Sequence, residues 1–259
     1  MIPLRINQIS KTFNKPVLDN VSLAVNIAEI YGFIGLNGQG KTTLIKIILD
    51  LLDQDEGDAE FFGITKTLPN SRKKICYLPE KFQPAIHQTG FEFLDFALGF
   101  YHQIKGDKHL ANRQSKNFKH NKNNQLNSQN NRIQEICKNL DFNYDDLKLK
   151  IAKYSKGMTQ KLGLLATFLS NADLIILDEP MSGLDPKARI ALKNELISYK
   201  KLKKTIFFTS HILVDMDEIC DKIAILHDAK IRFEGTPRAF KDKHNKPDLD
   251  HAFLCEILA

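Results

Sequence analysis

Apolar and polar residues alternate over 4–9 and 21–27 (Leu4, Ile6, Ile9; Val21, Leu23, Val25, Ile27), the two-residue period of half-exposed strands. Ile30-Tyr31-Gly32-Phe33-Ile34, Ile75-Cys76-Tyr77-Leu78 and Thr205-Ile206-Phe207-Phe208 read as buried strands, and a short strand is predicted over 59–63. Leu174-Ile175-Ile176-Leu177 is continuously apolar, as expected of a central parallel strand covered on both faces. Helical spacing appears at Thr43–Leu49, at Thr89–Gln103, from Ile133 through Leu140, and at Gln160–Leu169. Asp185 as N-cap and Pro186 at the first helical position start a further helix through Ile190, Leu192, Leu196 and Ile197. Ile223–Leu226 and Ile231–Gly235 form a final hairpin about Asp228-Ala229-Lys230, followed by a short helical tail over 236–259. The 89–103 stretch holds Phe91, Phe93, Phe96, Phe100 and Tyr101, too many aromatics for one narrow stripe. They are core residues, or part of an outward docking patch.

Composition changes this picture at one place. Residues 107–132 contain eight Asn, and six Lys or Arg against Asp107 alone, so they carry +5 of the formal +6. Such a segment buries too little apolar surface to offset its ordering entropy and reads as a mobile surface insertion. The rest of the chain is near neutral, which removes a basic face for nucleic acid; the insert itself is the one candidate for anionic headgroups. No run approaches the ~18 apolar residues of a membrane span, and Met1–Ile6 lacks the apolar core of a signal peptide. Cys76, Cys137, Cys220 and Cys255 stand singly, without metal-ligand spacing, which fits thiols in a reducing cytosol. The expectation is a cytoplasmic chain that reaches a membrane only through a partner.

The candidate chemistry starts at Gly35-Leu36-Asn37-Gly38-Gln39-Gly40-Lys41-Thr42-Thr43, between the Ile30–Ile34 strand and a helix. Gly35, Gly40, Lys41 and Thr42 satisfy G-x-x-x-x-G-K-[ST] in the context the motif requires. Backbone N–H groups and the helix N-terminus would hold phosphate oxygens, Lys41 would reach the β- and γ-phosphates, and the Thr42 hydroxyl would ligate Mg²⁺. Asp178 and Glu179 end the Leu174–Leu177 strand, where α/β sheets bind ligands. Asp178 suits the surroundings of Mg²⁺, and Glu179 suits a base that orients or deprotonates water. His211 ends a strand that would finish beside them. Phe13 is a stacking partner for a flat base or an ordinary loop aromatic. Glu80, after Pro79, points at the nucleotide or is a solvated loop charge.

Tyr154-Ser155-Lys156-Gly157-Met158-Thr159-Gln160 resembles the L-S-G-G-Q signature of the ATP-binding cassette ATPases, and the likeness covers nearly the whole chain. The other elements stand in that family's order: Phe13 at the adenine-stacking position, Glu80 at the Q-loop, Ser182-Gly183-Leu184-Asp185 at the D-loop and His211 at the switch histidine. The resemblance implies an α/β fold, a P-loop NTPase core with a mostly parallel central sheet, an N-terminal antiparallel β subdomain and an inserted α-helical subdomain. Residues 1–259 would form one nucleotide-binding domain, with the helical subdomain at about 85–165. It implies ATP and Mg²⁺ held by Phe13, Gly35, Asn37, Gly38, Gly40, Lys41, Thr42, Thr43, Asp178 and Glu80. Ser155, Gly157 and Asp185 would act on nucleotide in a head-to-tail homodimer or heterodimer. Glu179, His211 and Lys41 would be catalytic, and a separate membrane-spanning permease the partner.

Leu36, Gln39, Lys156 and Glu80 depart from the family's usual Pro, Ala, Gly and Gln. Tyr154-Ser155-Lys156-Gly157-Met158, with Leu78-Pro79-Glu80 and the Ser210-His211-Ile212-Leu213 run, looks most like the ATPase subunits of bacterial exporters of multidrug, lipid or polysaccharide type. Two other classes stay open: an ATP-driven mechanical switch on ribosomes or DNA, and a nucleotide-binding scaffold without turnover.

Overall fold

The structure is a computed structural model that describes residues 1–104 and 122–258. It divides into two compact units, one of 1–80, 173–181 and 196–259, the other of 81–172 and 182–195.

The first unit contains two sheets. β1 (Leu4–Thr12), β2 (Pro16–Val25), β4 (Glu56–Phe61) and β5 (Ile64–Thr65) make an antiparallel sheet in the order β2-β1-β4-β5. The second has the order β10-β9-β3-β8-β7-β6, from β3 (Ile30–Ile34), β6 (Ile75–Leu78), β7 (Leu174–Asp178), β8 (Thr205–Ser210), β9 (Lys222–His227) and β10 (Lys230–Gly235). It is parallel except for β10, which pairs antiparallel on the edge. Central strands β3, β7 and β8 are buried at every residue, hence their unbroken apolar runs. Leu44, Ile45, Ile47 and Ile48 of α1 (Lys41–Ile48) join one apolar core with Tyr31, Phe33, Ile176 and Phe207 of that sheet and Leu4, Ile6 and Phe61 of the other.

Several boundaries differ from the sequence pattern. β1 runs on to Thr12 and β2 starts at Pro16, because register shifts after Ile6 and Ile9 break the alternation that would have revealed them. β4 begins at Glu56, ahead of the strand predicted over 59–63 and within an acidic stretch; pairing with β1 satisfies its backbone. Asp55 just before it accepts bonds from Lys11 Nζ and the Thr12 amide, both 2.7 Å. Gly57 (φ +83°) lies where β1 bulges, and an added Cβ would come 2.3 Å from the Gln8 carbonyl oxygen. Gly57→Ala is expected to destabilise the protein by about 3 kcal/mol, the upper end for overpacking, measured by urea unfolding. After α6 (Leu213–Ile219), the tail is two helices, α7 (Pro237–His244) and α8 (Leu249–Leu258), parted by Asn245 in the left-handed conformation.

The second unit carries α2 (Gly90–Ile104), α3 (Lys122–Asn139), α4 (Lys156–Leu169) and the start of α5 (Pro186–Lys201). Of the polar segment 107–132, positions 107–121 lie outside the described residues. From Lys122 the chain is helical rather than irregular, although its regular apolar spacing starts only at Ile133. Extending a helix already anchored by buried Ile133, Ile136 and Cys137 costs far less than nucleating one, so weak formers are carried along. Within α2, Phe96 is exposed, while Phe93 meets Phe82 and Phe91 meets Tyr144 edge-on. Among the described residues no helix is long and apolar enough to cross a membrane.

Candidate functional site

β3 ends at Ile34 and the chain turns through 35–40 into α1. Gly35 is buried, and a Cβ there would approach the Leu226 carbonyl oxygen to 2.9 Å. Asn37 and Gly38 are exposed at the turn's tip. Gly40 has φ +106°, and a Cβ on it would stand 2.8 Å from the Val17 carbonyl oxygen, so only glycine fits. It is also the N-cap of α1, and no side chain caps it. The first-turn N–H groups of Lys41, Thr42 and Thr43 are thus left for an anion, with the helix dipole behind them.

The parallel register sets Asp178 of β7 beside Thr209 of β8. Thr42 Oγ1 donates to Asp178 Oδ2 at 2.8 Å, and Thr209 Oγ1 donates to Asp178 Oδ1 at 2.6 Å. Lys41, 6% exposed, donates to the Gly35 carbonyl at 2.7 Å and lies 3.4 Å from Glu179 Oε1. Glu179 adopts φ +51°, a left-handed conformation that costs a non-glycine residue about 1–3 kcal/mol. It is held there by its amide on Thr209 Oγ1 (3.0 Å) and by its Oε2, which accepts the His211 amide at 3.2 Å and contacts His211 Nδ1 at 2.7 Å. Buried Glu179 Oε1 has no hydrogen-bond partner. A carboxylate oxygen in this state is fitted to accept from a water or a ligand.

Two carboxylates against one lysine leave the strand end negative. Burial, followed by the charges of Asp178 and Glu80, pushes the Tyr77 phenol well above its usual value. A hydroxyl and a carboxylate presenting hard oxygens in this field fit Mg²⁺. Among the described residues no group of three or more His, Cys, Asp or Glu is placed to hold a metal ion.

Phe13 is exposed, with Lys11 Nζ 5.5 Å from its ring centre. Close to it in sequence, Lys15, Pro16 and Val17 face Gly38, Gln39, Asp228 and Ala229 across a cleft of about 310 Å³. Gln39 Oε1 accepts the Asp228 amide at 3.2 Å and so ties the phosphate loop to the β9–β10 turn. Glu80 is exposed beyond β6 and bonds to neither Thr42 nor Asp178.

Ser155, Gly157 and Asp185 belong to the second unit, where they line one cleft of about 310 Å³. α4 begins at Lys156, earlier than its apolar spacing shows, because Ser155 Oγ caps it by accepting the Met158 amide at 3.1 Å. Asp185 Oδ1 likewise accepts the Ala188 amide at 2.8 Å and caps α5.

Thr209 escaped the sequence reading as an individual residue. Its signal was faint: a hydroxyl at the end of an otherwise apolar strand, two positions before His211. Thr209→Val keeps the shape but strips partners from buried Asp178 Oδ1 and from the Glu179 amide. A loss of about 2–3 kcal/mol of stability is expected, read by denaturant titration.

Strand order, phosphate loop and paired strand-end carboxylates define a P-loop nucleotide-binding protein of the α/β class. The ABC transporter family model matches residues 18–182, and the chain belongs to that family. It is similar to an uncharacterized ABC transporter ATP-binding protein of Synechocystis sp., 34% identical over 220 residues, which are 85% of this chain and 56% of that protein. The chain thus spans little more than half the length of that relative. It is 30% identical over 234 residues to the bacitracin transport ATP-binding protein BcrA of Bacillus licheniformis, covering 90% of this chain and 69% of BcrA. A solved structure of an ATP-binding subunit of an ABC transporter superposes with a TM-score of 0.80 at 26% identity, covering 99% of each chain.

Proposed function

We propose that the chain is the ATP-hydrolysing subunit of an ABC transporter that powers export of a small molecule, lipid or polysaccharide through a separate membrane-spanning subunit. The contact set Lys41–Glu179–His211 at the mouth of the phosphate loop carries this reading: an ammonium for phosphate beside a carboxylate poised for water. ATP is held by the loop amides, by Lys41 and by Thr42 and Thr43, with Phe13 against the base. Thr42 and Asp178 would hold Mg²⁺, with Glu80 as a further ligand. When bound, Mg²⁺ neutralises charge developing on the phosphates.

Glu179 accepts a proton from, or aligns, the attacking water, and the His211 contact fixes its carboxylate and senses the γ-phosphate. Ser155, Gly157 and Asp185 act on ATP held by a second cassette, identical or homologous, so that the working form is a dimer. The Glu80 loop and the 89–104 aromatic helix, on which Phe96 is exposed, pass the cycle to the membrane subunit, and the chain sits at the inner face of the membrane through it. The similarity to BcrA, a bacitracin transport ATP-binding protein, supports a transport role.

Two measurements test this. Purified protein should release phosphate from ATP only with Mg²⁺, and it should co-purify from detergent with a multi-span membrane protein. Tight ATP binding without turnover would replace the motor by a scaffold; turnover without any membrane partner would move the protein to the mechanical-switch class.

A further inference from the structure

Beyond the residues assigned above, the second unit holds a charged junction that no role yet uses. Asp141 follows α3 with φ +52°, and the adjacent Phe142 amide closes the helix by donating to the Cys137 carbonyl at 2.8 Å. The turn presents Asp141 to two lysines from different helices. Lys161 of α4, its side chain only 12% exposed, donates to the Asp141 carbonyl at 2.7 Å and stands 3.7 Å from Oδ2. Lys187 of α5 donates to Oδ1 at 2.7 Å. The lysine contacts, led by the Lys187 hydrogen bond, hold the Asp141 carboxyl below its usual range.

What these lysines are attached to gives the junction its meaning. Lys161 lies on the helix that Ser155 caps, and Lys187 lies two residues after Asp185. Asp141 itself lines the same cleft as Ser155, Gly157 and Asp185. The two segments also run close together. A Cβ on Gly157 would be 3.4 Å from the Gly183 carbonyl oxygen, and one on Gly183 would be 3.1 Å from Lys156 Cε. With room for little more than a methyl group between them, a displacement of α5 relative to α4 alters the cleft.

We infer that Asp141 is a positioning residue that yokes the Ser155 end of α4 to the Asp185 end of α5, so that both meet the second nucleotide as one rigid element. The inference rests on the ATPase reading above. Asp141 touches no nucleotide; it acts through the separation of the two caps. The yoke is no major source of stability, since ion pairs with so exposed a partner as Lys187 contribute little to folding. Its effect belongs to geometry at the reacting phosphate, where displacements of about 1 Å can cost on the order of 100-fold.

The test uses the full chain with Lys187→Met, Lys187→Arg, Asp141→Asn and the Asp141→Asn/Lys187→Met pair. Asparagine tolerates the left-handed conformation, so the turn is kept while the charge is lost. Expected for Lys187→Met and Asp141→Asn is a three- to tenfold lower kcat, with KM for ATP and Tm unchanged because Lys41 and Thr42 are untouched. Lys187→Arg should stay within twofold of wild type, and the double variant should be no worse than the worse single one. Unchanged kcat in both single variants, or losses that multiply in the double variant, would overturn the yoke while leaving the ATPase assignment intact. No phosphate release by the wild-type protein would remove both.

Discussion

Glu179→Gln is expected to lower ATP turnover by about 10²–10⁴-fold, the range supplied by a positioned general base, while ATP still binds. The amide is nearly isosteric, and its oxygen can keep the bond from the His211 amide that now goes to Oε2. What disappears is the negative charge beside Lys41 and the capacity to take a proton. Binding survives because Lys41, Thr42 and the loop amides are unchanged, and the ammonium is freed of a competing carboxylate 3.4 Å away. Phosphate release at saturating ATP, alongside titration with a fluorescent ATP analogue, separates the two effects. If proposed sites are completed by a second cassette, the variant should also accumulate ATP-dependent dimers in gel filtration. Wild-type turnover in this variant would take the base role away from Glu179.

Lys41→Ala should act on binding instead. A charge-assisted hydrogen bond to phosphate contributes about 2–3 kcal/mol, on the order of 30- to 100-fold in affinity. The structure adds a second consequence. Lys41 and Glu179 are both 6% exposed, and deleting one partner leaves a buried carboxylate uncompensated, at about 3–5 kcal/mol when breaking a buried pair. The single variant should therefore lose thermal stability in the absence of nucleotide, and Lys41→Ala/Glu179→Gln should recover much of it. Differential scanning fluorimetry with and without ATP reads both effects: a lower baseline Tm, and a smaller nucleotide-induced rise at the same ATP concentration. An ATP-induced rise equal to that of wild type would show that Lys41 does not contact the nucleotide.

The legibility of the site in the sequence follows from how each residue is held. Lys41 and Thr42 were readable because glycine spacing and a strand-to-helix switch leave a local trace. Asp178 was readable because a wholly buried strand must end where its first carboxylates appear. Thr209 was not, since its two bonds depend on the register between β7 and β8. The left-handed backbone of Glu179 was equally hidden, because a glutamate carries no local preference for it. The same division runs through the fold. β3, β7 and β8 announced themselves through unbroken apolar runs, whereas β1 and β4 were blurred by bulges and by acidic residues whose backbones pair regardless. The early start of α3 was carried by propagation from its buried end, a property of the whole helix that the composition of 122–132 does not display.

The position of β3 in its sheet has a consequence for how the protein comes into being. Its two hydrogen-bonded neighbours, β8 and β9, are translated only after the second unit has emerged. At ~5–20 residues per second of synthesis, the wait from Ile34 to Thr205 lasts roughly 10–30 s. Throughout it a fully apolar strand, with the phosphate loop attached, has neither edge paired. Nascent chains stalled before Thr205 should therefore bind holdase chaperones through the Ile30–Ile34 segment and release them once residue 227 has left the ribosome.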